Sequence, residues 1–210
     1  CQPIQRLSEF PPKSFTAFHR RNPRGKWITV LSRLKVTHRN FVFEFFKGGS
    51  MERLKGKTAF ISGGARGLGA EMARLLHGEG ANVMVTDILE DEGHALANDH
   101  KNMTFMAHDV LQEDQWIAAI GATKEAYGGL DVLVNNAGIA HNATTIEETS
   151  YEQWRKVVGI ELDAVFLGCK HGVGLMKESS AGSIINMSSI YGIVGSAGQA
   201  PYHAAKGGVR

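Results

Sequence analysis

The stretch that decides the fold is Ser62-Gly63-Gly64-Ala65-Arg66-Gly67-Leu68-Gly69. It follows an apolar run, residues 58–61, and opens a stretch in which apolar residues recur at helical spacing. A strand, a glycine-rich turn and a helix in this order can bind the pyrophosphate of a dinucleotide, because the helix N-terminus offers unpaired N–H groups. We predict that Gly63 permits the sharp turn, that Gly67 lets the backbone approach the pyrophosphate, and that Gly69 lets the helix pack closely on the strand.

The spacing of these glycines, G-x-x-x-G-x-G, makes the loop one residue roomier than the G-x-G-x-x-G form. Arg66 and Leu68 are the other residues of the turn that we expect at the cofactor. Glycine turns also occur without a ligand, so the interpretation depends on the rest of the chain.

Composition divides the chain near residue 50. Residues 1–50 hold ten of the 23 Lys and Arg, two of the 21 Asp and Glu, and four of the five prolines. We interpret them as a basic, disordered extension, or as translated upstream sequence before a natural start at Met51; residues 40–46 are apolar enough for a strand. A nucleic-acid arm or an Arg-rich leader is the alternative. We expect no nucleic-acid partner, because a defined basic and aromatic surface is missing from the pattern.

The sequence lacks the patterns of a membrane span, a metal site and a disulfide framework. No apolar run approaches the ~18 residues that span a membrane, so we expect no membrane partner. The two cysteines, Cys1 and Cys169, lie far apart, and the histidines show no metal-ligand spacing. We therefore expect a reduced, cytoplasmic protein without a metal, in which Cys169 is an inert packing residue.

Residues 51–210 alternate between strand-like and helix-like patterns. Apolar runs that predict strands lie at 81–86, 103–107, 130–134 and 183–187, and helical stretches lie at 91–98, 113–127 and 152–176. Such alternation predicts right-handed βαβ units and an α/β fold with a doubly wound, Rossmann-type parallel sheet. In the helix at 113–127 we expect Trp116, Ile117, Ile120 and Ala126 to face inward.

Acidic residues follow the second and third predicted strands. Asp87, about 20 residues past the turn, is placed to bond the adenosine ribose hydroxyls, and its charge would repel a 2′-phosphate. Arg66 could meet that phosphate, but we weigh Asp87 above it and expect NAD rather than NADP. The structural alternative for Asp87 is a helix cap. Asp109 and Val110 are placed to hold the adenine edge.

A tyrosine and a lysine occur one helical turn apart near the end of the chain. Pro201 suits a helix start, and Tyr202 and Lys206 then lie on one helix face. A free phenol titrates near pH 10, and a neighbouring positive charge favours the phenolate. The pair can therefore move a proton to or from a substrate hydroxyl. The adjacent His203 lies on another face, and we treat it as incidental.

Together with Asn135-Asn136-Ala137-Gly138 after a strand, these motifs resemble the short-chain dehydrogenase/reductase family over residues 54–210. The stretches 63–71 and 155–158 are most similar to hydroxysteroid and cyclic-alcohol dehydrogenases. The resemblance implies hydride transfer between NAD and a secondary alcohol or ketone, and a homodimer or homotetramer. It also implies roles for three groups of residues: Asn136, Ala137 and Gly138 beside the cofactor, Ser189 on the substrate oxygen, and Lys206 on the nicotinamide ribose.

The chain departs from the family pattern at two places. Glu161 stands where the family usually has an Asn that supports a proton relay to the lysine, so we expect Glu161→Asn to leave NAD affinity similar and to raise turnover. The chain also stops at Arg210, where family members continue with two more strands. We therefore expect the C-terminal strands of the sheet to be missing, an exposed sheet edge, low solubility and no measurable turnover.

Two other functions stay open at this point. A catalytically inactive NAD-binding fragment or regulatory protein could keep the same fold, and residues 1–50 could bind nucleic acid. Within the enzyme class, epimerases and dehydratases use the fold as well, because a fold does not fix a reaction.

Overall fold

The structure is a computed structural model that describes residues 18–21, 27–30, 34–37, 40–43, 52–140, 142–179 and 182–210. The chain divides into two units, Cys1–Gly49 and Ser50–Arg210. In the first unit, β1 (Phe18–Arg21) pairs antiparallel with β2 (Trp27–Val30), and β3 (Leu34–Thr37) pairs antiparallel with β4 (Asn40–Phe43). Most of the predicted basic extension, residues 1–50, lies outside the described residues.

The second unit is a parallel sheet with helices in its crossovers. Its strands are β5 (Thr58–Ser62), β6 (Asn82–Asp87), β7 (Met103–Ala107), β8 (Val132–Asn135) and β9 (Ser183–Asn186). Its α-helices are α1 (Gly67–Gly78), α2 (Glu90–Asn98), α3 (Glu113–Tyr127), α4 (Tyr151–Val158), α5 (Ala164–Met176) and α6 (Ala200–Val209). A π-helical turn (Gly159–Asp163) joins α4 to α5, and a short 3-10 helix (Ile190–Gly192) follows β9.

The strand order is β7-β6-β5-β8-β9, and every described pairing in this sheet is parallel. The α/β, Rossmann-type prediction is therefore confirmed. The connection from β7 to β8 crosses to the other side of β5, so the strand order reverses between β5 and β8. In open α/β sheets, ligands bind at such a reversal, outside the carboxyl ends of the strands.

Alternate residues of the strands support two apolar clusters. Phe60 of β5 packs with Trp116, Leu133 and their neighbours on one face of the sheet, and its neighbour Ile61 packs with Val83 and others on the opposite face. All of these side chains are buried. This alternation is what a strand covered on both faces requires, and it holds the strand ends rigidly beneath the site.

The helix predictions need two corrections. In α3, Trp116 and Ile120 are buried as predicted, but Ile117 is 57% exposed and Ala126 is also exposed. The buried positions 116, 119, 120 and 123 follow helical spacing, and residue 117 lies about 100° away from that stripe. The predicted continuous helix at 152–176 is interrupted by the π-helical turn.

The strand β9 lies at one end of the sheet, beside β8. Within the described residues no strand pairs with its other edge, and Ile184 and Ile185 are 38% and 41% exposed. This is the exposed apolar edge that the sequence predicts. Among the described residues, no helix is long and apolar enough to cross a membrane.

Candidate active site

A cavity of about 750 Å³ lies at the carboxyl ends of β5, β6, β8 and β9. Every residue that the sequence singles out for the site contributes to its wall, although these residues come from separate elements. They are Gly63, Arg66, Gly67, Leu68, Gly69, Asp87, Asp109, Val110, Asn136, Ala137, Gly138, Glu161, Ser189, Tyr202 and Lys206. The structure therefore brings the whole predicted set together.

The three glycines of the turn differ in conformation and in how closely their surroundings pack. Gly63 has φ +64°, and a Cβ there would lie 2.6 Å from Cα of Ala137. Gly67 has φ +58° and faces open space, with no heavy atom within 4 Å of an added Cβ. A Cβ on Gly69 would lie 2.1 Å from the Gly63 carbonyl oxygen. The turn is thus closely packed at Gly63 and Gly69 and open at Gly67, where the predicted pyrophosphate would approach.

The N-terminus of α1 differs from those of α2 and α3. Both α2 and α3 have acidic residues in their first turn, but α1 has none, and its cap residue Arg66 forms no side-chain hydrogen bond to the turn. The positive end of the α1 dipole therefore faces the cavity with no acidic side chain in the first turn of the helix. This arrangement fits a bound diphosphate.

The segment after β8 holds the turn in place. The Asn136 side-chain amide donates to the carbonyl oxygens of Ser62 and Gly63, at 3.1 and 2.8 Å. The backbone N–H groups of Asn136 and Ala137 donate to Ser62 Oγ, at 3.2 and 3.3 Å. Asn136 therefore fixes the shape of the turn directly, besides lining the cavity.

Asp87 holds the other side of the turn. Its carboxylate accepts hydrogen bonds from the backbone N–H of Ala65 (3.1 Å) and of Leu89 (3.2 Å). The cap residue of α2 is Leu89, which has no side-chain capping bond, so Asp87 does not act as the cap of that helix. Sequence reasoning placed Asp87 at the cofactor but missed its bond to the turn, because a contact 22 residues away leaves no local pattern.

The predicted adenine side is formed by the residues after β7. The Asp109 carboxylate accepts from the Leu111 N–H at 3.0 Å, and the Val110 carbonyl oxygen accepts from the Trp116 indole at 2.9 Å. His108, which the sequence did not single out, also lines the cavity and is 2% exposed. Burial lowers the pKa of His108 to about 4, although the charge of Asp109 opposes this shift.

Glu161 lies in the π-helical turn and is 1% exposed. Its Oε2 lies 2.7 Å from Nζ of Lys206, which is 5% exposed, and its Oε1 accepts from the Ile139 N–H at 2.6 Å. Gly138 packs directly against this carboxylate: a Cβ there would lie 3.0 Å from both carboxylate oxygens. The Glu161 carboxylate thus links three elements, which are the π-helical turn, the segment after β8 and helix α6.

Tyr202 and Lys206 lie in α6, one turn apart, as the sequence predicts. Lys206 Nζ donates to the Met187 carbonyl oxygen at 2.6 Å and lies 5.7 Å from the centre of the Tyr202 ring. Ser189 is the N-cap of the 3-10 helix after β9, and its Oγ accepts from the Tyr191 N–H at 3.2 Å. A hydroxyl, a phenol and an ammonium therefore share the end of the cavity away from Asp87.

His203 has more contacts than its treatment as incidental predicts. Its Nδ1 lies 2.6 Å from the Tyr191 carbonyl oxygen, and its Nε2 lies 2.9 Å from the backbone nitrogen of Ser196. The ring also packs against Tyr191, with ring centres 4.9 Å apart. No sequence pattern could reveal this, because the partners lie in the 3-10 helix after β9 and in the irregular segment that follows it.

Comparison with known proteins gives a consistent result. A family model described as short chain dehydrogenase matches residues 57–210. The chain is 45% identical over 169 residues to trans-4-hydroxycyclohexanecarboxylate dehydrogenase of Sinomonas cyclohexanicum, covering 76% of this chain and 64% of that protein. It is 46% identical over 159 residues to 3-alpha-(or 20-beta)-hydroxysteroid dehydrogenase of Mycobacterium tuberculosis, covering 75% of this chain and 61% of that protein.

A third relative has a different stated cofactor. The chain is 41% identical over 163 residues to the NADP-dependent (R)-specific alcohol dehydrogenase of Lentilactobacillus kefiri, covering 76% of this chain and 64% of that protein. In these three comparisons the chain spans 61% to 64% of the length of the relative.

Proposed function

The chain belongs to the short-chain dehydrogenase family, and we propose that it acts as an oxidoreductase that transfers a hydride between NAD and a secondary alcohol or ketone. The observation that carries the proposal is the placement of Tyr202 and Lys206 in the same cavity as the open glycine turn. A cofactor held at the turn and a proton-transfer pair at the other end suit a reaction that moves a hydride and a proton together.

In this proposal each residue at the catalytic end has a separate task. Ser189 donates a hydrogen bond to the substrate oxygen and holds it near the phenol. Tyr202 takes the hydroxyl proton during oxidation and returns it during reduction. Lys206 favours the phenolate by its charge and binds the nicotinamide ribose. NAD, when bound, supplies the hydride acceptor.

We propose Glu161 as a modifier of this pair. It takes the position at which the family usually has an Asn, and its carboxylate lies on the Lys206 ammonium. Opposite charge so close reduces the field that the ammonium exerts on the phenol. Glu161→Asn is therefore expected to leave the dissociation constant of NAD similar and to raise turnover; a lower turnover would count against this role.

For the cofactor we propose NAD in preference to NADP. Asp87 supports this choice, because its charge at the cavity wall repels a 2′-phosphate. Arg66 and the NADP-dependent relative argue in the other direction. Titration of the chain with both cofactors tests the proposal: Asp87→Asn should raise the affinity for NADP relative to NAD, and tighter binding of NADP by the unsubstituted chain would overturn it.

The substrate we propose is a hydroxysteroid or a small cyclic alcohol. The relatives named above act, by their names, on a hydroxycyclohexane carboxylate and on hydroxysteroids. Ile139 and Ile160 line the cavity, and the loop after Ser189 carries the exposed apolar side chains Ile190 and Ile193. An apolar ring bearing one hydroxyl suits such a wall.

The activity assay separates this proposal from the second candidate, an NAD-binding protein without turnover. The second candidate draws support from the exposed β9 edge. The chain is incubated with NAD and cyclopentanol or a 3-hydroxysteroid, and NADH absorbance is followed. The enzyme proposal expects turnover, in contrast to the inactivity expected from the sequence, and Tyr202→Phe should lower it at least ~100-fold. NAD binding without turnover, unchanged in Tyr202→Phe, would favour the second candidate.

We propose that residues 51–210 form the catalytic unit and that residues 1–50 are not required for the site. A chain that starts at Met51 should bind NAD with the same affinity as the whole chain. Salt-sensitive DNA binding that is lost with residues 1–50 would instead favour a nucleic-acid arm.

We further propose a cytoplasmic homodimer or homotetramer. Phe166 on α5 is 63% exposed, and an exposed aromatic side chain on a long helix suits a subunit contact. Light scattering of the purified chain tests this, with Phe166→Glu expected to shift the mass toward the monomer. A monomeric mass for both the unsubstituted chain and Phe166→Glu would contradict this proposal.

A further inference from the structure

We propose that His203 is the positioning residue that fixes the mouth loop, residues 189–198, against α6 and so sets the affinity for the substrate. The effect on substrate affinity rests on the function proposed above, whereas the contact between His203 and the loop does not. His203 does not line the cavity, whereas its neighbour Tyr202 and the loop residue Tyr191 do. It therefore acts through other residues.

The hydrogen bonds of His203 join the loop to the catalytic helix at two points. One ring nitrogen, Nδ1, lies 2.6 Å from the Tyr191 carbonyl oxygen. The other, Nε2, lies 2.9 Å from the Ser196 backbone nitrogen, 3.3 Å from Ser196 Oγ and 3.2 Å from the Ser196 carbonyl oxygen. A single side chain thus binds both the beginning and the second half of the loop.

The chemistry of these partners defines the form of the imidazole. A carbonyl oxygen only accepts, so the bond to Tyr191 uses a proton on Nδ1; a backbone N–H only donates, so the bond from Ser196 uses the lone pair of Nε2. In these two bonds the ring serves one partner as a donor and the other as an acceptor. Lys, Arg or an acid could not satisfy both partners, because each supplies only donors or, when ionised, only acceptors.

The loop is also held at its two ends, but by other groups. Ser188 Oγ donates to the Lys206 carbonyl oxygen at 2.9 Å, just before the loop begins. At the far end the Thr144 N–H donates to the Gly198 carbonyl oxygen at 3.1 Å. His203 holds the part between these anchors, where Ile193 is 61% and Val194 is 47% exposed.

The position of the mouth loop affects the residues at the catalytic end of the cavity. Tyr191 packs edge-on against Tyr202, with ring centres 6.2 Å apart, and its N–H donates to Ser189 Oγ. If the loop moves away from α6, Tyr191 and Ser189 move relative to the Tyr202 phenol. The expected consequence is weaker substrate binding with little change at the glycine turn, which lies at the other end of the cavity.

The experiment uses three substitutions of His203, which remove the hydrogen bond from Ser196, the hydrogen bond to Tyr191, or both. Asn places its side-chain nitrogen near the Nδ1 position, so His203→Asn keeps the donor for Tyr191 and loses the acceptor for Ser196. Gln reaches the Nε2 position, so His203→Gln keeps the acceptor and loses the donor. His203→Ala loses both, and His94→Ala on the exposed surface of α2 serves as the control.

Hydrogen exchange of the Ser196 amide in the whole chain, without cofactor or substrate, is the first measurement. Exchange should quicken about fivefold in His203→Asn and His203→Ala, as expected for the loss of one hydrogen bond, and stay close to the unsubstituted rate in His203→Gln and His94→Ala. Equal exchange in all four variants would overturn the proposal. If His203→Ala fails to fold, the comparison of Asn with Gln still decides it.

Steady-state kinetics with NAD and cyclopentanol is the second measurement. His203→Ala should raise the KM for cyclopentanol about fivefold or more and change the KM for NAD less than twofold. A fall in kcat with both KM values unchanged would overturn the effect on substrate affinity. Absence of turnover in the unsubstituted chain would remove the proposed function, while the exchange result would still decide whether His203 fixes the loop.

Discussion

Glu161 Oε2 and Lys206 Nζ form an ion pair of 2.7 Å between residues that are 1% and 5% exposed. Each charge also has one backbone partner, the Ile139 N–H for the carboxylate and the Met187 carbonyl oxygen for the ammonium. Taking two charges out of water is costly, and the pair is stable only because each charge compensates the other. The two residues are therefore expected to be coupled in stability.

Removal of one member should be more harmful than removal of both. Glu161→Gln or Lys206→Met each leaves a buried charge without its counter-charge, and each should lower the free energy of unfolding by about 3 kcal/mol. The double variant should recover at least half of the summed loss. Urea unfolding of the four proteins measures this, and strictly additive losses would show that the pair is not coupled.

The glycine turn and helix α1 provide a matched pair of Gly→Ala substitutions. A Cβ on Gly69 would lie 2.1 Å from the Gly63 carbonyl oxygen, whereas a Cβ on Gly78, at the end of the same helix, has no heavy atom within 4 Å. Gly69→Ala should destabilise the chain and abolish detectable NAD binding, because the turn must shift. Gly78→Ala should leave binding intact and leave stability equal or up to about 1 kcal/mol higher. Thermal unfolding and NAD titration measure both, and similar behaviour of the two variants would contradict the packing argument.

The site was predictable wherever its geometry is local or follows from topology. Tyr202 and Lys206 are one turn apart in any helix, and Gly63 to Gly69 form their turn from neighbouring residues. The carboxyl ends of parallel strands meet at one edge of a sheet, which is why Asp87 and Asn136 lie in the same cavity.

Other features depend on contacts that the sequence does not encode locally. His203 finds its partners in the 3-10 helix after β9 and the segment that follows it, and His108 is surrounded by Thr86, Phe60 and Trp116 from three different elements. The π-helical turn adds one residue to a helical repeat, so a continuous apolar pattern conceals it. These groups become visible only once tertiary packing is known.

The buried imidazole of His108 should make the fold sensitive to mild acid. Its Nδ1 lies 3.0 Å from Thr86 Oγ1, and within the described part of the chain its Nε2 has no hydrogen-bond partner. Burial, opposed by the charge of Asp109, lowers its pKa to about 4. An unfolded histidine titrates near 6.5, so the unfolded chain binds the proton first. Stability contributed by this group is complete above about pH 6.5 and is lost progressively down to pH 4, by roughly 3 kcal/mol at most.

His108→Asn tests this, because its amide can still meet Thr86 but does not titrate. The free energy of unfolding should fall less between pH 7 and pH 4.5 in this variant than in the unsubstituted chain. His94→Asn, at an exposed position of α2, should keep the original pH dependence. Parallel curves for His108→Asn and the unsubstituted chain would show that the imidazole stays neutral in both states or titrates equally in both.

Asp131 lies at the end of the sheet opposite the cavity. Its contribution to stability should be lost in a lower pH range than that of His108. Its carboxylate accepts from Lys57 Nζ (2.8 Å), Ser179 Oγ (2.6 Å) and the Thr58 N–H (2.9 Å). Burial raises the pKa of Asp131, but these hydrogen bonds outweigh it and leave the pKa below its ordinary value. Because the folded pKa is depressed, the stabilisation is present above about pH 4 and is lost as the pH falls through the folded pKa.

Asp131→Asn should therefore destabilise the chain by about 1 to 3 kcal/mol at pH 7 and by less at pH 3. Glu125→Gln, at an exposed position of α3, should change stability by less than about 0.5 kcal/mol at either pH. NAD affinity at pH 7 should be unchanged in both variants, since Asp131 lies at the end of β8 away from the cavity. A loss of NAD affinity with stability unchanged would contradict a purely structural role, because it would mean that this end of the sheet controls the position of the glycine turn.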